Sequence, residues 1–121
     1  MALSAPTFEC FKGKDGQDYF RLRARSGESI LSGEGYSSLT ACRRGIASIQ
    51  RHAADQTCYR EAQAKNGKAY FLLVARNHRV IGKSQLYKSA AAMRKGIQAV
   101  QRAVPQAGLV RKWSSALVST P

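Results

Sequence analysis

The residues best suited to do chemistry lie on one predicted strand, where aromatic and cationic side chains alternate with apolar ones. Over residues 19–25, the apolar side chains of Phe20, Leu22 and Ala24 point to one face. The opposite face carries the other members of the strand: Tyr19, Arg21, Arg23 and Arg25. Guanidinium groups on alternate residues are about 6.5 to 7 Å apart, which suits a row of phosphates, and a tyrosine offers a plane for base stacking. We interpret this face as a nucleic-acid site, and the alternative is a solvated face whose charge serves only solubility.

The charge of the whole chain also favours an anionic partner. The 121 residues contain 20 Lys and Arg against 7 Asp and Glu, a formal net charge of +13. All the acids precede residue 62, so the second half carries only cations. A field of one sign concentrates polyanions near the surface. We expect further contacts from a predicted helix and the C-terminal segment: Arg94, Lys95, Arg102, Arg111 and Lys112. For the helix cations, the alternative is the ordinary wet side of an amphipathic helix.

An internal repeat at a constant offset of 51 residues organises the chain. The offset pairs Gly16 with Gly67 and Tyr36 with Tyr87, and no gap is needed. Such a pattern indicates two copies of one supersecondary unit, at residues 8–53 and 59–104. Either copy alone would be marginally stable, because so small a unit buries too little of its surface. We therefore predict a single domain over residues 1–121 in which the copies share a core, with a C-terminal strand and tail at 107–121.

Local signals predict the elements of each copy. Asp15-Gly16 and Asn66-Gly67 are dipeptides typical of tight hairpin turns. Ser38 and Ser89 can cap the first turn of a helix. Apolar residues then recur at helical spacing and predict a buried stripe on each helix: Leu39, Cys42, Ile46, Ile49, Ala53, and Ala90, Met93, Ile97, Val100, Val104. Gly45 and Gly96, at the same register within the helices, predict a close approach of the other helix or of a strand.

The second copy lacks the cationic strand of the first. At the corresponding positions it carries Tyr70, Leu72 and Val74, so the same sheet face becomes apolar. An uncovered apolar patch needs a cover. We expect the C-terminal tail to supply it, and a second molecule, either another copy or a protein partner, is the alternative. The tail residues concerned are Trp113, Leu117 and Val118.

The sequence lacks the residue patterns that several kinds of chemical site require. Cys10, Cys42, Cys58, His52 and His78 include no pair at metal-ligand spacing, and Cys42 falls on a core stripe. Cys10 and Cys58 could form a thiol pair only if their strands are neighbours. The sequence contains neither a nucleophile-elbow motif nor an extended glycine fingerprint, so we predict no enzyme, no cofactor and no metal. The odd number of cysteines, the absence of a secretory signal and of any long apolar run indicate a cytoplasmic protein that does not enter a membrane.

The repeated residues resemble the YegP-like family of short bacterial repeat proteins. The similarity rests on the Gly-containing turns, on Tyr-Phe-x-Leu-x-Ala at 19–24 and 70–75, on Gly-Tyr-Ser-Ser at 35–38, and on Arg-x-Gly-Ile at 43–46 and 94–97. It covers roughly residues 8–113. In copy two, Asn77-His78-Arg79 replaces the Asn-Gly-Glu-like turn of the family. The family has no assigned function, so the resemblance implies a fold and supplies no catalytic residues.

The resemblance implies an α+β fold in which two tandem β-β-β-α-β repeats form one antiparallel sheet with two helices packed on one face. Our functional hypothesis is a small basic, non-enzymatic protein that contacts nucleic acid or a ribonucleoprotein through phosphates. The alternative is a protein-interaction or structural module that uses the apolar face of the second repeat. The sequence does not distinguish DNA from RNA, or monomer from dimer.

Overall fold

The elements follow the order that the repeat predicts, in a computed structural model that describes residues 5–111. They are β1 (Thr7–Lys12), β2 (Asp18–Arg23), β3 (Ser29–Ser32), α1 (Leu39–His52), β4 (Tyr59–Gln63), β5 (Ala69–Val74), β6 (Val80–Lys83), α2 (Ala90–Ala103) and β7 (Gly108–Arg111). Short 3₁₀ turns at Gln56–Cys58 and Val104–Gln106 follow the two helices. Neither helix of this part of the chain is long and apolar enough to cross a membrane.

The local signals predicted from sequence are present at their expected positions. Gly16 and Gly67 have φ values of 81° and 83°, which a residue without a Cβ adopts without strain. The Ser38 hydroxyl accepts from the Ala41 amide at 3.1 Å and starts α1. Ser89 does the same for α2. The turns and helix starts are therefore decided by short stretches of sequence.

The seven strands form one sheet in the order β4-β5-β6-β3-β2-β1-β7. The repeats meet where β3 pairs antiparallel with β6, and Ser32 lies opposite Lys83. These two residues are 51 apart, so each faces its own counterpart, as a twofold pseudo-axis through that pair requires. The predicted α+β architecture, two repeats in one sheet with two helices, is confirmed.

One pairing differs from the purely antiparallel sheet that we expected. Strand β7 runs parallel to β1, with Thr7 opposite Gly108. Because β1 is the last antiparallel strand on that side, its outer backbone groups are available to the segment that follows α2. The sheet is consequently mixed, and the C-terminal strand of repeat two completes repeat one.

A shared core lies between the sheet and the helices. The strands contribute fully buried aromatic side chains, Phe8, Phe20 and Phe71, which belong to one cluster with Ile46 and Ile97 of the helices. The predicted helix stripes are buried except at their first residues, since Leu39 is half-buried and Ala90 is exposed. Neither repeat has a core of its own.

Gly45 and Gly96 make room for tyrosine side chains. A Cβ on Gly45 would collide with the Tyr36 hydroxyl, and a Cβ on Gly96 would collide with the Tyr87 hydroxyl. A close approach is therefore present at both glycines, but a side chain makes it and not a neighbouring helix. Its partner is the tyrosine that precedes each helix, which the sequence did not identify.

Candidate anion-binding surfaces

Arg21 and Arg23 lie on the sheet face away from the helices, and both contact one buried carboxylate. Their Nε atoms are each 2.9 Å from Oε1 of Glu9, which is only 6% exposed. Arg21 also lies over the Phe11 ring, 4.4 Å from its centroid. Arg23 donates to the Gly27 carbonyl oxygen at 2.6 Å. The fold therefore engages both guanidinium groups, and they are less available to a phosphate than free arginines on a strand.

Sequence analysis missed Glu9, because the position of its carboxylate depends on the register of the first hairpin. The register of β1 and β2 places Glu9 directly opposite Arg21. Side chains opposite each other on neighbouring strands have Cβ atoms about 4.5 to 5.5 Å apart and interact directly. A two-residue turn at Asp15-Gly16 would instead have placed Leu22 opposite Glu9, so the observed register depends on the longer turn that the Gly13–Gln17 hydrogen bond closes.

Tyr19 is also engaged within its hairpin. Its ring stacks on Phe11, with centroids 5.8 Å apart, and its hydroxyl donates to Asp15 at 2.6 Å. This hydrogen bond raises the pKa of the Tyr19 phenol and lowers the pKa of the Asp15 carboxyl. One face of the predicted stacking plane is thus occupied by protein.

Arg25 does not share the face of Arg21 and Arg23. Strand β2 ends at Arg23, and Arg25 is exposed in the turn that follows. It lines a groove together with Arg102 of α2. The structure therefore separates Arg25 from the strand site and brings it next to a helix cation.

Besides Arg94, five cations of the two helices are exposed to solvent: Arg43, Arg44, Arg51, Lys95 and Arg102. Neither helix contains an acidic residue. Within residues 5–109, none of the five lies within ion-pair distance of a carboxylate. Arg44 and Arg51 are seven residues apart, about 10.5 Å along the helix, and point away from the buried stripe. Lys95 and Arg102 repeat this spacing on α2.

Of the remaining predicted cations, one is paired with a carboxylate and the side chains of the others are not described. Arg94 donates from Nε and from Nη2 to the two carboxylate oxygens of Glu61, each at 3.1 Å. This hydrogen bonding lowers the pKa of Glu61 and raises that of Arg94. Arg111 ends β7, opposite Cys10 of β1. Lys112 lies outside the described residues.

The apolar face of repeat two is narrower than its sequence suggested, because Val74 is buried. Tyr70 and Leu72 are half-buried and line a groove of about 290 Å³ with Val80 and Lys83. The Lys83 ammonium lies 5.1 Å from the centroid of the Tyr70 ring. The tail residues expected to cover this face lie outside the described residues: Trp113, Leu117 and Val118.

All three cysteines are buried. Cys10 and Cys58 are not neighbours, since β1 and β4 lie far apart in the sheet order. Cys42 is fully buried, as predicted, and contacts Cys10. Burial raises the pKa of the Cys42 thiol to about 12. In the described part of the chain, no group of three His, Cys, Asp or Glu side chains could hold a metal ion.

A cleft that sequence analysis did not identify lies where α1 of repeat one meets the β5–β6 hairpin of repeat two. Its volume is about 470 Å³. Polar and charged side chains from both repeats line it: Glu34, Tyr36, Arg44, Ser48, Asn77 and Arg79. The replacement of the family's usual turn by Asn77-His78-Arg79 was the only sequence signal for this site.

A buried histidine attaches the hairpin to α1. His52 is 8% exposed, and its Nδ1 donates to the Ser48 carbonyl oxygen at 2.8 Å. Its Nε2 accepts from the Arg76 amide at 3.3 Å. This pair of bonds requires the tautomer with the proton on Nδ1. The histidine therefore couples the two repeats at the cleft.

Both repeats match the family described as a domain of unknown function, DUF1508, at residues 14–59 and 64–110. The chain is 42% identical over 105 residues to a UPF0339 protein of Pseudomonas aeruginosa, covering 87% of this chain and 96% of that protein. It is 43% identical over 94 residues to the UPF0339 protein YegP of Escherichia coli, covering 78% of this chain and 86% of that protein.

Two solved structures have the same fold. The solution NMR structure of YegP from E. coli, a protein of unknown function, aligns with a TM-score of 0.86 and 36% identity, over 95% of this chain and 99% of the other. The solution NMR structure of a UPF0339 protein from Shewanella oneidensis aligns with a TM-score of 0.84 and 34% identity, over 91% and 93%. These relatives support the fold and the repeat without indicating an activity.

Proposed function

The chain belongs to the DUF1508 family, whose function is unknown. We propose a function from the charges and grooves on the surface of the chain. The function is that of a small non-enzymatic binding protein that holds nucleic acid or a ribonucleoprotein through phosphates. The buried thiols, none of which forms a disulfide within the described residues, agree with a cytoplasmic location.

The exposed helix cations carry this proposal. The sequence favoured the arginine strand, but there Glu9 offsets part of the charge of Arg21 and Arg23. On the helices, by contrast, five cations face solvent without a carboxylate partner among the described residues. An exposed cation that releases a counterion on contact with a phosphate contributes to affinity regardless of base sequence.

The two helices present these cations as one layer. Both pack on the same face of the sheet, and their C-terminal ends share a groove lined by Gln50, Ala53, Gln101 and Val104. Arg25, in its turn beside α2, extends the layer next to Arg102. We expect contacts to phosphates from Arg43, Arg44, Arg51, Lys95 and Arg102, with Arg25 as a sixth cation.

The test is fluorescence anisotropy with random single-stranded oligonucleotides at several salt concentrations. If five cations each neutralise a phosphate, log K falls with log salt at a slope of about −3.5, from about −0.7 per phosphate. Changing Arg44, Arg51 and Arg102 together to Gln should reduce the magnitude of that slope by about 2. The matched control changes three exposed lysines of the hairpin turns, Lys14, Lys65 and Lys68, to Gln.

The control variant should keep most of the slope, because its lysines belong to hairpin turns and not to the helices. Absence of binding at low salt would reject the polyanion function. Equal losses in the two triple variants would show that only net charge matters and would reject the helix layer as the site.

The second candidate is a protein-interaction module that uses the groove beside Tyr70 and Leu72. Val80, which is 45% exposed at this groove, favours it, since large exposed apolar side chains mark interaction surfaces. If a second copy binds there, the Val80→Glu variant should sediment as a smaller species than the unaltered protein. Leu86→Glu is the matched control, because Leu86 is 46% exposed but does not line the groove.

A further inference from the structure

The cleft between α1 and the β5–β6 hairpin has the composition of an anion site. We propose that it binds the phosphate group of a small ligand, which Arg44 and Arg79 hold from the two sides. This site goes beyond the polyanion surface, because it requires Arg79, which lies on the hairpin and not on a helix.

The two arginines approach the cleft from different repeats. Arg44 comes from α1 of repeat one and Arg79 from the hairpin of repeat two, and both are exposed. Among the described residues, neither lies within ion-pair distance of a carboxylate. Guanidinium groups suit phosphate because their planar donors can bind two oxygens at once. A cleft that concentrates the field of two such groups attracts a small anion more strongly than a flat surface does.

The hairpin that carries Arg79 is held rigidly. Asn77 Oδ1 accepts from the Arg79 amide at 3.1 Å, and the Ala75 amide donates to the Arg79 carbonyl oxygen at 2.8 Å. His52 attaches the neighbouring residue Arg76 to α1. A binding group on a fixed backbone loses less entropy when it takes up a ligand.

A tyrosine hydroxyl adds a neutral donor to the cleft. Tyr36 lies against Gly45, where a larger residue would collide with it. Burial is the main cause that raises the pKa of the Tyr36 phenol, and the Arg79 charge partly opposes this effect. The hydroxyl therefore remains protonated at neutral pH and can donate to an oxyanion.

The hairpin also contains an unusual backbone conformation. His78 has a φ of 71°, whereas the equivalent residue of repeat one is Gly27, with a φ of 92°. A residue other than glycine is uncommon in this region, and such outliers are concentrated at functional sites. The sequence thus departs from the usual glycine immediately beside Arg79.

The equivalent junction of the other repeat shows that the scaffold alone does not create this site. There Glu28 takes the place of Arg79, and Gln85 takes the place of Glu34. The Gln85 amide donates to Glu28 Oε2 at 2.6 Å and joins the two sides. The same fold therefore presents two arginines at one junction and a hydrogen-bonded carboxylate at the other.

Glu34 is the only acid that lines the cleft within the described residues. Its charge opposes an anion, and the two arginines leave a net charge of about +1 there. Removing the Glu34 charge should therefore strengthen phosphate binding.

The experiment is a titration of the ¹⁵N-labelled full chain with inorganic phosphate at constant ionic strength, followed by amide chemical shifts. We expect saturable shifts at residues that line the cleft, including Gly35, Gly45 and Arg79. Arg79→Gln should weaken binding about tenfold, the loss expected from one charge-assisted hydrogen bond. Arg44→Gln should weaken it similarly, and Glu34→Gln should tighten it.

The matched control is Arg76→Gln, which removes the same charge from the same hairpin at a residue that does not line the cleft. It should change the affinity less than twofold. The amide spectrum of each variant reports whether it is folded, and Arg44→Gln provides a second variant if Arg79→Gln is not. A nucleoside monophosphate and a sugar phosphate should bind at the same residues, and acetate should bind more weakly.

The proposal is overturned if phosphate produces no saturable shifts, or shifts spread over all exposed cations. It is also overturned if Arg76→Gln weakens binding as much as Arg79→Gln, or if acetate binds as tightly as phosphate. Phosphate binding lost in Arg79→Gln with an unchanged oligonucleotide salt slope would show that the two sites are separate.

Discussion

The two halves of the open sheet face are built on the same backbone and carry different chemistry. In repeat one, Arg21 and Arg23 share the buried carboxylate of Glu9. In repeat two, the equivalent positions hold Leu72, Val74 and Arg60, and the Arg60 guanidinium donates to the Thr57 carbonyl oxygen at 2.6 Å. Replacing two arginines by apolar residues thus coincides with replacing the glutamate between them.

This comparison shows that the repeats are equivalent as scaffolds and not as surfaces. The core positions agree because both sets of side chains must fill one space between sheet and helices. The outer positions are free of that constraint, so one half became an ion-pair network and the other a narrow apolar groove. Variants made at equivalent positions test this distinction.

The largest effect should come from the shared core. We expect Ile46→Ala and Ile97→Ala each to lower the free energy of unfolding by about 2 to 5 kcal/mol, since both residues are buried in one cluster. Urea unfolding measures this. Losses below about 1 kcal/mol at both positions, or at one only, would contradict a core that the repeats share.

The open face should respond unequally to the loss of its charged residues. Glu9→Gln should cost about 1 to 3 kcal/mol, because it removes the buried carboxylate that two partly exposed arginines contact. Arg60→Gln, at the equivalent position of repeat two, should change stability by less than about 0.5 kcal/mol, since that side chain is exposed. Equal losses in urea unfolding would show that the Glu9 network has no special structural role.

The turns that contain Gly27 and His78 should both be more stable with glycine at that position, because both positions have a positive φ. His78→Gly should stabilise the protein by about 0.5 to 1 kcal/mol, because it relieves a left-handed residue. Gly27→Ala should destabilise by a similar amount, since it introduces the same strain in repeat one. Thermal unfolding of the two variants checks this, and a destabilised His78→Gly protein would show that the histidine side chain contributes stabilising contacts.

The smallest predicted effect is a dependence of stability on alkaline pH. It comes from Cys42, whose position in α1 corresponds to that of Met93 in α2. Because the pKa of its thiol is about 12 in the folded protein, the unfolded chain loses this proton first as the pH rises. Stability should be unaffected below about pH 9, the usual thiol range, and should decline between about pH 9 and 12.

The matched variant for this prediction is Cys42→Ala. It should show a smaller alkaline decline, and the remainder should come from other groups whose pKa is raised by burial, including Cys58 and Tyr59. Urea unfolding from pH 7 to 10.5 measures both slopes. Identical slopes would contradict a buried, protonated Cys42 thiol.

Much of the fold could be predicted from the sequence, because its signals are local. The hairpin glycines, the serine caps and the helix stripes each depend on a few neighbouring residues, and the structure contains all of them. The candidate site was less predictable. Predicting the engagement of Arg21 and Arg23 required the register that places Glu9 opposite Arg21, and Arg25 lies elsewhere because β2 ends two residues before it.

By itself, the sequence determined the repeat, the elements of each copy and the excess of positive charge, since periodicity and composition are properties of the chain. Only the tertiary structure decided which charges are paired, because that depends on residues that folding brings together. Strand β7 pairs with β1 across about a hundred residues. The cleft joins Arg44 to Arg79, which belong to different repeats. Contacts of this kind follow from how the two copies pack on each other, and no local pattern contains that packing.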